Sequence, residues 1–314
     1  MEQITLNGQF QIIEELARGG MGTIYLAEEL GEVGFRKTVA IKVINPSLLK
    51  DKESLELFIG EAKLVADLLH ENIVQVYHFD KSGRQYYMVM EMVFGKNLEK
   101  ITRRIKQAKK FMSPLIAVCI MEQICRGLDY AHRKRDREGR RLKIVHRDIS
   151  PANVIVNFRG IAKLTDFGIA KALNLKVPDE TEVVMGKFPY MSPEQVQFEG
   201  TDARSDIFSL GLVFYELVTN QVVYPAETGE RLIELMEHSS PLPPREINSE
   251  ISFDLNQLIL KAMEIDPQKR FQSAKEMREG LTEYLIEQSV IHTDELLAEF
   301  MSEIFPESRK DAYW

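Results

Sequence analysis

From Phe10 to Tyr87 the apolar residues come in short β-type runs at 10–17, 23–29, 37–44, 73–79 and 85–90. Each run is rich in Ile, Val, Tyr or Phe, the composition of strands that bury at least one face. Residues 52–69 break this series with apolar positions at helical spacing. After Gly95 the period changes: residues 115–134 read as one long helix, short strands are expected around Asn153 and Lys163, and helical segments dominate from Asp206 to Glu287. The pattern predicts a small β-rich unit with one main helix over residues 1–92, a larger and mainly helical unit over 93–285, and a helical extension over 286–314. The join is expected near Glu91 to Gly95, short enough to act as a hinge. In the extension, Leu296, Leu297, Phe300, Met301, Ile304 and Phe305 form an apolar stripe stopped by Pro306. It is expected to pack on the helical unit, with a homodimer or partner docking as the alternative use.

Composition narrows the class. With 314 residues, 44% of them hydrophobic, the chain can bury a core without staples. Lys and Arg total 40 against 48 Asp and Glu, and the net charge of -8 argues against a general polyanion binder, so nucleic acid is not an expected partner. Cys119 and Cys125 share one apolar segment without Cys-x-x-Cys spacing, which reads as buried thiols in a reducing compartment. The first residues lack a basic stretch followed by an apolar core, and no run approaches the ~18 apolar residues of a membrane span. A cytoplasmic chain with no membrane segment is the expectation. Residues 133–143 depart from the acidic whole with seven Lys and Arg, and read as an inserted, solvated, charged hairpin.

Candidate chemistry is spread along both units. Residues 17–24 place Gly19 and Gly22 between two strands, where missing side chains let backbone N–H groups approach phosphate oxygens; a plain glycine-rich hairpin is the competing reading. Lys42 lies in an apolar strand beside Val39, Ala40 and Ile41, where an ammonium needs an anionic partner; Glu61, on the expected helix, is the candidate. Further on come His146, Arg147 and Asp148 with Asn153, then Asp166, Phe167 and Gly168, then Ser192, Pro193 and Glu194.

This ordered set resembles that of the protein kinases, over roughly Phe10 to Leu285, and in particular the bacterial eukaryotic-like Ser/Thr kinases of the Hanks type. The inserted basic segment, residues 34–37 and residues 146–153 are most similar to kinases of myxobacteria and related bacteria. The resemblance implies an α+β, bilobal protein kinase fold with ATP in the cleft and transfer of its γ-phosphate to Ser/Thr hydroxyls of a protein substrate. It implies that Lys42 holds the α- and β-phosphates and is oriented by Glu61. Asp166 would ligate Mg²⁺, Asn153 would hold a second metal through its amide oxygen, and Asp148 would accept the acceptor proton. Ala17, Gly19 and Gly22 would cover the phosphates. Ile24 and Ala40 would roof the adenine, Ile155 would floor it, and Met90, Glu91 and Val93 match the gatekeeper and hinge, with plain core packing as the bland alternative for the apolar ones. Asp206 would brace the catalytic loop and Arg270 would pair with Glu194.

Two departures carry information. Ala17 replaces the first glycine of the phosphate loop. Ser150 stands where most such kinases carry Lys, and Lys187 where they carry Thr. Together these read as an exchange that keeps one positive charge near the transferred phosphoryl, with Lys187 approaching Asp148 and Ser150 hydrogen-bonding nearby. Arg147 is expected to take an anion from the activation segment, and Thr181, the sole hydroxyl between Asp166 and Lys187, is the expected autophosphorylation site. A catalytically silent kinase-fold scaffold and a small-molecule kinase are the alternatives; the full set from Asp148 to Arg270 disfavours the second.

Overall fold

The computed structural model describes residues 5–6, 8–20, 22–46, 59, 62–63, 65–83, 85–167 and 188–308. It separates into two compact units, one of residues 1–93 with 169–183 and one of residues 94–168 with 184–314.

The first unit is an antiparallel sheet. Its strands are β1 (Thr5–Leu6), β2 (Phe10–Gly19), β3 (Gly22–Leu30), β4 (Arg36–Ile44), β5 (Val76–Ser82) and β6 (Gln85–Glu91), in the order β1-β2-β3-β4-β6-β5. The expected run at 73–79 begins as strand only at Val76. Residues before it are tied down differently: the Gln75 amide donates to the Glu91 carboxylate at 3.2 Å, and the Gln75 carbonyl accepts from the Glu91 amide at 2.8 Å. β4 lies inside the sheet and Val39, Ala40, Ile41 and Lys42 are all buried. That explains its unbroken apolar run, since a strand covered on both faces loses the alternation of a half-buried one. Phe10, Ala27, Val39, Ile41, Tyr87 and Val89 form the core, with Phe10 edge-on to Tyr87 at 6.1 Å. Residues 59, 62–63 and 65–66 are helical, within the segment expected to be a helix.

The second unit opens with β7 (Gly95–Asn97), followed by α1 (Leu98–Gln107) and the long α2 (Pro114–Arg133). Pro114 begins α2 without loss, because an N–H at that position would have no acceptor within the helix and proline has none to leave unpaired. Most of α2 is buried, as its apolar residues on nearly every side require. Strands β8 (Val154–Asn157) and β9 (Ala162–Leu164) complete a small sheet with β7. The remaining helices are α3 (Pro193–Val196), α4 (Ala203–Thr219), α5 (Gly229–His238), α6 (Pro244–Ile247), α7 (Phe253–Ala262), α8 (Ala274–Glu287) and α9 (Thr293–Ile304). α4 is a second buried rod, capped at its start by the Asp202 carboxylate accepting from the Arg204 amide at 2.8 Å. Among the described residues, no helix is long and apolar enough to cross a membrane.

The apolar stripe of α9 packs within this second unit: Leu297, Met301 and Phe305 are buried, while Leu296, Phe300 and Ile304 are half-buried. Gln123 of α2 helps seat it, accepting from the Ala162 amide and donating to the Gly160 carbonyl at 3.0 Å. A side chain at Gly160 would run into the Asp294 carbonyl at 1.8 Å, so α9 can approach this turn only because the residue is glycine.

Candidate active site

Within the second unit, a loop from His146 to Asn153 joins α2 to β8 by way of the basic hairpin, and one buried carboxylate organises it. Asp206, on the first turn of α4, accepts the backbone amides of His146 and Arg147, each at 2.8 Å, and the His132 Nε2 lies 2.8 Å from it. Burial pushes the Asp206 carboxyl up, but the hydrogen bond from His132 and the His146 amide outweigh this and hold it below the usual carboxylate range. The clamp has a purpose. Arg147 has φ of +61°, a left-handed conformation that non-glycine residues rarely adopt, and such strain persists only where surroundings over-determine it.

His146 is the internal post of the loop. Its Nδ1 accepts the Asp148 amide at 3.2 Å and its Nε2 lies 3.1 Å from the Thr165 carbonyl, an arrangement that suits a neutral ring protonated on Nε2. Burial lowers its pKa, which keeps it neutral. Its ring also packs on Phe167 with centroids 4.5 Å apart, so the segment carrying Asp166 is bound to the loop carrying Asp148. Asp166, like Arg147, has a positive φ, +56°.

Asn153 and Asp148 form a directly hydrogen-bonded centre in this loop. The Asn153 amide nitrogen donates to the Asp148 carbonyl at 2.7 Å and to its carboxylate at 2.8 Å. With the nitrogen committed, the amide oxygen is the atom left for a cation. The Thr165 amide donates to the Asn153 carbonyl at 3.0 Å, which holds Asn153 beside the strand end that leads to Asp166. A carboxylate and an amide oxygen are hard donors, and two of them suit Mg²⁺, which keeps several waters and takes few protein ligands. Among the described residues there is no cluster of three His, Cys, Asp or Glu side chains of the kind that softer or fully caged metals need. Ser150 is buried beside this centre, and its hydroxyl has no hydrogen-bond partner among the described residues.

The segment that carries α3 is locked by an ion pair. Arg270 is fully buried and bidentate to Glu194 at 2.8 and 3.0 Å, while its other N–H groups go to the carbonyls of Glu264, Arg204 and Ile265. Every donor of the guanidinium is satisfied, the condition under which a buried charge is tolerated. Two contacts to Arg147 have no counterpart in sequence reasoning. Its carbonyl accepts from the Gln195 side chain at 2.8 Å, and its Nε donates to the Thr201 hydroxyl at 3.1 Å. The Ser192–Gln195 capping box at the start of α3 is readable from the sequence, but it signals a helix start and says nothing of Arg147.

In the first unit, Ile24 pairs in register with Lys42 across β3 and β4, and Ala40 with Met90 across β4 and β6. Lys42 is 9% exposed, Ala40 and Met90 are buried, and Ile24, Glu91 and Val93 are half-buried. Ala17 and Gly19 are exposed in β2, opposite Ile24 and Gly22. Gly22 has φ of +148°, and a Cβ there would lie 2.1 Å from the Val43 carbonyl. Crowding against β4 alone therefore requires glycine at this position, whereas the space beside Gly19 is open. Ile155 is half-buried in β8 of the second unit. Glu61, Gly168, Thr181 and Lys187 lie outside the described residues.

Known proteins resemble this chain over most of its length. The family model described as "Protein kinase domain" matches residues 10–294. The tyrosine-protein kinase MasK of Myxococcus xanthus is 36% identical over 89% of this chain and 43% of its own length. The serine/threonine-protein kinase PrkC of Bacillus subtilis is 33% identical over 87% of this chain and 40% of its own length. The chain thus spans less than half the length of these curated relatives. The crystal structure of the Mycobacterium tuberculosis PknI kinase domain superposes with a TM-score of 0.67 at 22% identity, covering 90% of this chain and 98% of that one.

Proposed function

The chain belongs to the protein kinase family, and we propose that it transfers the γ-phosphate of Mg-ATP to hydroxyls of a protein substrate, serine and threonine first among them. The observation that carries this reading is the Asn153–Asp148 arrangement: one amide group fixes the carboxylate that would receive the acceptor proton and offers its oxygen to a cation. Phosphoryl transfer asks little covalent chemistry of the protein and much positioning, which a loop clamped by Asp206 supplies.

In this reading Asp148 orients the acceptor hydroxyl and takes its proton, and Asp166 and Asn153 hold Mg²⁺, whose charge would offset that developing on the phosphates. Lys42, buried in β4 and aligned by Glu61, engages the α- and β-phosphates. Adenine rests against Ile24, Ala40, Met90, Val93 and Ile155, with backbone hydrogen bonds at Glu91, and the turn with Ala17, Gly19 and Gly22 covers the phosphates. Lys187 and Ser150 share the electrostatic and hydrogen-bonding work that one lysine does in many relatives, and Thr181 is the autophosphorylation site that pairs with Arg147. The acceptor preference rests on relatives named serine/threonine-protein kinases, while another relative, MasK, is named a tyrosine-protein kinase.

Incubation with labelled ATP and magnesium, followed by mass spectrometry of the products, tests the proposal. Phosphate is expected on protein hydroxyls, Thr181 included, and its appearance should fail in Asp148→Asn and Asp166→Asn. Lys187→Met should lower kcat by about tenfold or more. Turnover that survives Asp166→Asn would refute the assignment.

A further inference from the structure

Between α2 and the catalytic loop the chain makes a small hairpin that the chemistry above does not use. The Arg135 and Arg141 backbones bridge, Leu142 donates to the Lys134 carbonyl at 3.0 Å and Asp136 to the Arg140 carbonyl at 3.0 Å. The Asp136 carboxylate ties the turn, accepting the amides of Glu138 and Arg140 at 3.0 and 2.8 Å and the Arg140 Nε at 2.7 Å. Glu138 also turns to Arg140, at 3.1 Å. Both acidic residues of the hairpin are therefore committed to one arginine. Arg137, Arg141 and Lys143 stay exposed, and none is paired with a carboxylate among the described residues.

Two features set this hairpin apart from an ordinary solvated loop. Arg135 and Arg141 sit directly opposite each other, and like charges at cross-strand positions destabilise a hairpin. Lys143 holds φ of +50°, a second local cost. A segment that keeps like charges together on a turn fastened by its own hydrogen bonds is preorganised for an anion, since little ordering remains to be done on binding.

We propose that this hairpin is a docking surface for an acidic, Asp/Glu-rich segment of a protein partner. Guanidinium groups match carboxylates in bidentate geometry. The partner is a narrow chain segment because the molecule as a whole carries -8. A DNA duplex or a membrane plane would meet the field of the acidic remainder, whereas a peptide touches the hairpin alone. That the docked protein is also a substrate rests on the kinase reading; the binding itself does not.

The test uses the full chain and a fluorescein-labelled oligo-glutamate peptide, followed by anisotropy at low and physiological salt. The chain should bind the peptide, less tightly as salt rises, and the variant R137E/R141E/K143E should bind at least about tenfold more weakly. R137K/R141K/K143R, which keeps the charge but has fewer guanidinium forks, should bind more weakly than the wild type and more tightly than the charge-reversed variant. The charge-reversed variant should turn over ATP on a neutral acceptor peptide like the wild type, which also shows that it folds. Equal affinity of the wild type and R137E/R141E/K143E, or no binding by the wild type, overturns the proposal while leaving the kinase reading intact. Displacement of the peptide at lower concentration by duplex DNA or phosphatidylserine vesicles, dependent on the same three side chains, also overturns it. Absence of ATP turnover in a wild type that binds the peptide would instead refute the kinase reading alone.

Discussion

At the scale of single residues, the most informative side chain is Ser150. A buried hydroxyl without a partner costs about 1–3 kcal/mol, and that of Ser150 has none among the described residues, so its retention next to Asp148 in the loop asks for a compensating role. Ser150→Ala should leave thermal stability unchanged or slightly raised, because it removes an unsatisfied polar group. It should lower kcat by about tenfold if the hydroxyl donates to a phosphoryl or acceptor oxygen during transfer. Steady-state kinetics and a melting curve on the same preparation decide the matter; unchanged kcat would mark the residue as passive filling. Lys42 stood out in the sequence because a charge in an apolar strand asks for an anionic partner, whereas Asp148, Asn153 and Asp166 were picked out by the ordered motifs that resemble the kinase set. Gly22 was legible as a needed glycine, yet the crowding by the Val43 carbonyl was not, since it arises between strands. The bonds that link Arg147 with Gln195 and Thr201 were equally hidden: they join residues 48 and 54 positions apart, and nothing local in the sequence encodes them.

At the scale of elements, the ion pair between α3 and the turn before α8 sets how firmly α3 is held to the second unit. Arg270→Ala would leave Glu194 buried without its cation, a loss of about 3–5 kcal/mol measured by chemical denaturation. The same pair gives the chain an acid limit. Burial raises the Glu194 carboxyl, but the hydrogen bonds from Arg270 and Ser205 outweigh it, so its folded pKa lies below the ordinary value, as does that of Asp206. A carboxyl depressed in the folded state contributes stability above its unfolded pKa of about 4.3 for Glu and 3.9 for Asp, and that contribution disappears as pH falls through the folded values. Denaturation midpoints should therefore be flat near neutrality and drop below about pH 4, with a shallower drop in Glu194→Gln. The helical periods of α2, α4 and α9 were readable from their apolar spacing, whereas the start of β5 was not, because Glu91 takes the Gln75 amide from a different strand. Met301→Ala in α9 should cost about 2–5 kcal/mol, since that side chain is fully buried in the second unit; a cost near zero would mean that the last helix is an appendage.

At the scale of the whole molecule, the two cysteines report on something the active-site residues cannot. Cys119 and Cys125 are both buried in α2 of the second unit, and burial pushes the Cys119 thiol up to about 12 and the Cys125 thiol higher still. Burial shuts both thiols away from reagent and disfavours the thiolate, so labelling at mild alkaline pH is expected to proceed through opening of the unit that holds them. A ligand bound to the native state alone, at a hundredfold over its Kd, stabilises by about 2.7 kcal/mol and should slow that labelling by about a hundredfold. Mg-ATP is expected to protect both thiols although neither belongs to the proposed site. Lys42 lies in the other unit, so Lys42→Met separates two cases. If nucleotide engages both units, the substitution abolishes most of the protection of thiols in a unit it does not belong to. If nucleotide rests on the second unit alone, protection survives Lys42→Met undiminished, and the role proposed for the β4 lysine is wrong.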